Sequence, residues 1–291
     1  MSIPAGFQFS QSSLQDFVDC KRRFQLRYIT RLAWPAVEAE PVAEHERYLR
    51  LGSEFHYLIH QHHSGLPLER LSATIPSIQG AVGDELSKWW ENYLASPYQS
   101  YRIDETQPDI PPTEARIYTE FSLSIPIQDF RLIAKYDMLL ILPSGQATII
   151  DWKTSLQRPQ RRWLQTRLQT RIYPYVLSMA GQSLHNVFQI QPEQIEMCYW
   201  FANFPDNPEC FQYSSELSMI DGVYLHGLIE QIVRHGNEDF SQTHNEMHCR
   251  YCAYRSLCNR GVTAGSLEDI ESDERNGGIE FDFDHIEEID Y

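Results

Sequence analysis

The stretch from Ala115 to Lys153 constrains this chain more than any other. Helical spacing before it gives way to alternation: "ARIYTEFSLSIP", then "FRLIAKYDMLLIL", then, after Pro143-Ser144-Gly145, "QATIIDWKT". The pattern predicts a meander of three strands at roughly 115–125, 130–142 and 146–153. The third strand ends abruptly, because the apolar pair Ile149-Ile150 runs straight into Asp151, Trp152 and Lys153. Charges in or beside a core are costly unless they are paired or bind something. Asp137 lies in the preceding strand, and neighbouring antiparallel strands can bring its carboxylate beside that of Asp151. Two adjacent carboxylates repel, and a hard divalent cation, Mg2+ or Mn2+, is their natural neutraliser. Lys153 has the parity of Asp151, so its ammonium can emerge on the same face. There it could orient an attacking water or stabilise charge growing on a phosphate oxygen. An Asp–Lys ion pair at a strand end is the plainer account of "DWK" by itself.

Helices flank the meander in sequence. Ser12 and Ser13 read as an N-cap before "LQDFVDCKRRFQLRYI", predicting a helix from about 12 to 30. Further helices are expected at about 42–63, 78–95, 160–180 and 216–235, and a second pair of strands at 194–204 and 209–214. Helices, a meander, then helix, strands and helix suggest a mixed sheet flanked by helices, an α/β class. No internal repeat is seen.

The apolar runs are too short to span a bilayer, and "MSIPAGFQFS" lacks the basic start and long apolar segment of a signal peptide. The expectation is a cytoplasmic protein that does not enter the membrane. The net charge of −16 is unevenly placed, since residues 267–291 hold eleven acids and one arginine. Two basic clusters stand out in the remainder: Lys21, Arg22, Arg23, Arg27 and Arg31, and then Arg158, Arg161, Arg162, Arg167 and Arg171. Each is either a solvated helix face or a stripe that guides a polyanion.

The six cysteines divide in the same informative way. Cys249, Cys252 and Cys258 form Cys-x2-Cys-x5-Cys, the compact spacing of a metal or cluster knot at 248–260, and three thiolates need a fourth ligand. Zinc held by these three and His248 is one solution. A [4Fe–4S] cluster with Cys20 as the distant fourth ligand is the other. Cys198 and Cys210 fall in strand patterns and read as core thiols.

Taken together, these residues resemble the PD-(D/E)xK nuclease superfamily, and within it the RecB-like branch. "YD" in one strand, a turn and "IIDWKTS" carry the resemblance. So do Gly52-x-x-x-His56 upstream and Gln169-x-x-x-Tyr173 on the helix after the lysine, where i and i+4 share a face. The fold this implies is restriction-endonuclease-like, a mixed central sheet flanked by helices. The implied roles are metal ligation by Asp137 and Asp151, with the Trp152 carbonyl and His56 as further ligands. Lys153 would assist the nucleophilic water, while Gln169 and Tyr173 place the DNA strand or the active-site side chains. Glu120 falls where many relatives carry an acid; Ala134-Lys135-Tyr136 stands where relatives often have glycine. Among the upstream histidines, His56 is the expected ligand, with His60, His62 and His63 on a solvated face.

"FSQSSLQDFVDCKRRFQLRYI" is similar to the first helix of iron–sulfur RecB-like nucleases, such as AddB and the CRISPR adaptation nucleases. This favours the [4Fe–4S] cluster, held by Cys20, Cys249, Cys252 and Cys258, over structural Zn2+. Relatives usually have proline after that first cysteine; Lys21 stands here. The implied organisation is one nuclease domain over 1–265, its first helix stapled to the C-terminal knot, followed by an acidic flexible tail at 266–291.

The implied activity is metal-dependent hydrolysis of DNA, as an exonuclease on single strands or ends in repair or recombination. A nuclease trimming CRISPR spacer precursors and a DNA-binding repair subunit that does not cut are the alternatives. Arg22, Arg23, Arg158, Arg161, Arg162 and Arg167 are the expected phosphate contacts, with Phe24, Tyr28, Trp163 and Tyr173 as possible stacking surfaces. A helicase or integrase is a conceivable partner, since no helicase motif is present. The tail alternates acids with Phe281, Phe283, Ile286 and Ile289, which suits a solubilising arm, a DNA mimic or a docking peptide for a partner protein.

Overall fold

The computed structural model describes residues 3–33, 40–75, 81–101, 115–180, 190–235, 240–250 and 252–261. The tail expected at 266–291 lies outside them. The meander is present: β2 (Arg116–Ile127), β3 (Phe130–Ile141) and β4 (Ala147–Lys153) pair antiparallel in sequence order. Three more strands complete a six-stranded sheet: β1 (Gln8–Ser10), β5 (Ile195–Phe201) and β6 (Glu209–Gln212). β1 pairs parallel with β3 and β5 parallel with β4, while β6 runs antiparallel to β5. The sheet is therefore mixed, as the α/β pattern led one to expect.

Helices cover both faces. On one side lie α3 (Glu40–His63), α4 (Leu68–Thr74) and α5 (Ala81–Ala95), whose Phe55, Ile59, Leu71, Trp89, Trp90 and Tyr93 pack with Met138, Ile150, Trp152 and Trp200 of the sheet. On the other lie α1 (Gln11–Asp19), α7 (Leu168–Ala180) and α8 (Ser215–Arg234), whose Leu14, Ile172, Val176, Leu225 and Ile229 meet Leu132, Tyr136, Ile149 and Tyr199. In β4 the two cores alternate by residue, which explains its near-continuous apolar run: Ala147 and Ile149 face one, Ile150 and Trp152 the other.

Alternation fails at one level of β2 and β3. Ile117 packs with the α3–α5 core, yet Leu123 and Ile125, of the same parity, pack with the α1–α7–α8 core. Likewise Ala134 and Tyr136 face one core, Met138 and Leu140 the other. The reversal sits at Glu120 and Asp137. Glu120 has φ +49°, in the left-handed region that a glutamate seldom occupies, and this turns the strand over without adding a residue.

Several expected boundaries shift. The first helix begins at Gln11 because Ser10, not Ser12 or Ser13, caps it, in a reciprocal bond pair with Ser13. It is not continuous to residue 30: Cys20 is extended, and α2 (Lys21–Phe24) and a π-turn (Gln25–Ile29) follow. The helix expected at 160–180 is broken at Arg167 into α6 (Arg161–Thr166) and α7. Cys198 and Cys210 are not separate core thiols; β5–β6 pairing sets them directly opposite, and they form a disulfide. No described helix is long and apolar enough to cross a membrane.

Candidate active site

β3 is paired with β2 along its whole length, so β1 and β4 must share its other edge. β1 takes Arg131–Ile133 and β4 takes Met138–Ile141. Between them the sheet forks. β4 continues past Ile150 with β5 as its neighbour, through Asp151, Trp152 and Lys153. Asp137 stands in the fork, one step beyond the last paired residues Met138 and Ile150, and its Oδ2 accepts the Trp152 N–H at 2.9 Å. A carboxylate thus ends the β3–β4 ladder in place of a main-chain carbonyl.

Both helical layers reach this point. From α3, His56 Nε2 lies 2.9 Å from the Trp152 carbonyl oxygen and Nδ1 3.5 Å from Asp137 Oδ2. From β2, the inverted Glu120 presents a carboxylate such that His56, Glu120 and Asp137 each place a ligand atom within 4.8 Å of the others. From β4, Lys153 Nζ lies 2.9 Å from Asp151 Oδ2 and donates at 3.1 Å to Gln169 Oε1 on α7. The Gln169 side-chain amide in turn donates to Asp151 Oδ1. Asp151 and Gln169 are almost wholly buried, at 4% and 5% exposure, so these are charge-assisted bonds in a dry setting.

The electrostatics follow. Burial pushes the His56 imidazolium down, but Asp137, with Glu120 and Asp151, outweighs it and leaves the pKa raised to about 9. Burial likewise pushes the Asp137 carboxyl up. His56, the Trp152 N–H and Lys153 oppose it and hold that group below the ordinary carboxylate range.

Two carboxylates, an imidazole and the adjacent Trp152 carbonyl form a hard, oxygen-rich donor set, which fits Mg2+ or Mn2+. Glu120 belongs to the close set while Asp151 is turned toward Lys153 and Gln169, an arrangement that the sequence pattern alone did not suggest. The signal for Glu120 was an acid inside an alternating strand. Its backbone conformation could not be read.

Other expected residues lie elsewhere. Tyr173, one turn after Gln169, is 5% exposed and packs its ring 5.3 Å from that of Tyr136; its carbonyl accepts the Tyr136 hydroxyl at 2.9 Å. It packs against the strand beside Asp137. His62 and His63 are fully buried, not surface groups, and both bond the Tyr93 hydroxyl; His60 bonds Thr119 at 2.7 Å.

Of the arginines, Arg23 is half-buried against Asp16 at 2.6 Å and Asp19 at 2.9 Å. Arg22 binds Gln25 at 2.5 Å. Arg158 and Arg161 both engage Glu209, and Arg167 is buried against the Trp163 ring. Arg162 remains exposed. Phe24 is core, at 0% exposure, and offers no stacking face. The reason is common to these cases. Local acids and apolar surface claim side chains that a one-dimensional pattern assigns to solvent.

The cysteine motif also closes in space. Cys20, at the break between α1 and α2, lines one small cavity with Cys249, Cys252 and Cys258, joined by Arg23, His248 and Arg260. All four thiols are free, and burial is the main cause raising the pKa of Cys249, Cys252 and Cys258.

Comparison with known proteins agrees with this geometry. The family model described as "PD-(D/E)XK nuclease superfamily" matches residues 8–259. The crystal structure of a candidate exonuclease from Eubacterium rectale superposes with a TM-score of 0.52 at 12% identity, covering 90% of this chain and 92% of that one; at such identity the likeness concerns the fold alone. A second solved structure, SSO0001, matches at 15% identity over 86% of this chain and 85% of that one, with a TM-score of 0.38 that carries no argument. No curated protein matches. With the family model spanning the sheet, both helical layers and the cysteine motif, the chain belongs to the PD-(D/E)XK nuclease superfamily.

Proposed function

We propose that this protein is a divalent-metal-dependent DNA nuclease acting on single strands or DNA ends. One observation carries the reading: at the fork of the sheet, a hard-ligand cluster (His56, Glu120, Asp137, the Trp152 carbonyl) adjoins a lysine fixed by Asp151 and Gln169. A bound Mg2+ or Mn2+ would supply Lewis-acid activation of water and charge neutralisation at phosphate. Asp137, Asp151, Glu120, His56 and the Trp152 carbonyl are the groups that would hold it. Lys153 donates hydrogen bonds toward a phosphate oxygen or the incoming water, with two of its directions fixed by Asp151 and Gln169. Water attacks phosphorus, the P–O bond to one nucleoside oxygen breaks, and that oxygen leaves with a proton. Tyr136 and Tyr173 keep the strand bearing Asp137 in place.

The cavity lined by Cys20, Cys249, Cys252 and Cys258 would hold a [4Fe–4S] cluster, with structural zinc as the alternative occupant of the same thiols. The cluster would tie α1 and α2 to the C-terminal knot, and an electron-transfer role is not needed.

The test is digestion of end-labelled single- and double-stranded DNA with Mg2+ or Mn2+, beside Asp151→Ala and Asp137→Ala. Loss of cleavage in both variants is expected. Wild-type protein that binds but never cuts would favour a non-cutting subunit, and equal cleavage by the variants would assign the activity to a contaminant.

A further inference from the structure

Lys135 precedes Asp137 by two residues on β3 and opposes Ser122 of β2. Its Nζ lies 2.9 Å from Glu120 Oε2, with the lysine side chain 43% exposed and that of Glu120 27%. Glu120 is thereby shared between this ammonium on the solvent side and the His56–Asp137 pair on the other. It is also the residue held at φ +49° in the middle of a strand, a conformation that persists only where the surroundings demand it. The site accordingly has two built-in cations: Lys153, fixed to Asp151 from inside, and Lys135, fixed to Glu120 from outside.

We propose that Lys135 is a positioning residue that acts through Glu120, as a resident counter-cation setting how tightly the site takes its divalent ion. This rests on the nuclease reading above. The charge count gives the direction. Ligation takes His56 in its neutral form; three carboxylates (Glu120, Asp137, Asp151) and two ammonium groups then sum to −1, so one divalent ion leaves the site at +1. Without Lys135 the sum is −2, and one ion neutralises it. Lys135 therefore opposes cation loading through Glu120, because it competes with the ion for that carboxylate. A second divalent ion would take the site to +3, so the count favours a single ion.

The test measures Mn2+ binding to the full-length protein without DNA, by calorimetry and by Mn2+ electron paramagnetic resonance, at fixed pH and ionic strength. Wild type should bind one ion, and Asp137→Ala should lose it. Lys135→Met should tighten binding roughly tenfold, the scale of one charge interaction in a partly exposed site. Lys135→Arg should stay within about threefold of wild type, because the charge is kept. Glu120→Gln should weaken binding, and in that background Lys135→Met should change the affinity by no more than about threefold, since its partner is gone. Circular dichroism and melting curves check that each variant folds. Unchanged or weaker binding in Lys135→Met, or the same tenfold gain with and without Glu120, overturns the proposal while leaving the nuclease reading in place. Wild-type protein that takes up no Mn2+ overturns both.

Discussion

Replacing Gln169 by leucine removes two hydrogen bonds from the surroundings of Lys153 at nearly constant volume. Gln169 accepts from Lys153 Nζ at 3.1 Å and donates to Asp151 Oδ1, so it holds the acid and the base of the pair in one geometry. Each is a hydrogen bond to a charged group in a buried setting, worth about 1.5–3 kcal/mol. Lys153 keeps its 2.9 Å contact with Asp151, and the two bonds belong to one network, so they do not simply add. The expected destabilisation is about 2–4 kcal/mol, a fall in Tm of roughly 3–7 °C for a chain of this size. The kinetic effect should be larger than this suggests. A lysine free to swing no longer meets the phosphate at a fixed angle, and kcat should fall roughly 10- to 100-fold, as for other residues that orient a reactive group. KM for DNA should hardly change, because Gln169 is 5% exposed and offers nothing to the nucleic acid. The assay is steady-state cleavage of an end-labelled oligonucleotide below the melting temperature of the variant. A wild-type kcat, or a loss confined to KM, would refute the positioning role.

Three further outcomes follow from the same geometry. His56 has its pKa raised to about 9 from an unfolded value near 6.5, so the stability it contributes is fully present below pH 6.5 and disappears as pH rises through about 9. At most about 3 kcal/mol is involved. Melting curves of chelator-treated protein from pH 6 to 9.5 should show this loss, and His56→Gln should flatten it; an unchanged curve in the variant would remove His56 as its source. Arg162→Glu should weaken DNA binding for all sequences and lower its salt dependence by about one ion or more, whereas identical binding would take this arginine off the DNA path. Anaerobically purified wild type should be brown, absorb near 400 nm and contain iron. Cys20→Ser should lose the colour and loosen the N-terminal helix to proteolysis, while Cys198→Ser should retain both. Colourless wild type with stoichiometric zinc would overturn the cluster assignment.

What could be read in one dimension was whatever depends on neighbours in the chain. Alternation from Ala115 to Lys153, punctuated by Pro143-Ser144-Gly145, located β2, β3 and β4 because strand parity and turn chemistry are local. The register of β3 against β4 is local for the same reason, being set by the tight turn between them; that Asp151 turns toward Lys153 and Gln169, while Asp137 joins His56 and Glu120, is not. The Cys-x2-Cys-x5-Cys spacing was equally local, and it did lead to a common cavity with Cys20. Tertiary structure decided the rest, where partners lie far apart in sequence. β1 reaches β3 across more than a hundred residues, so a three-residue strand carried no signal of its own. His62 and His63 became core because Tyr93 waits for them on α5; Arg158 and Arg161 were drawn to Glu209; Cys198 met Cys210 through the pairing of β5 with β6. Most of all, the reversal at Glu120 is a backbone property of two paired strands. Only in the folded sheet does it turn a glutamate and an aspartate toward one histidine and leave a lysine at the mouth.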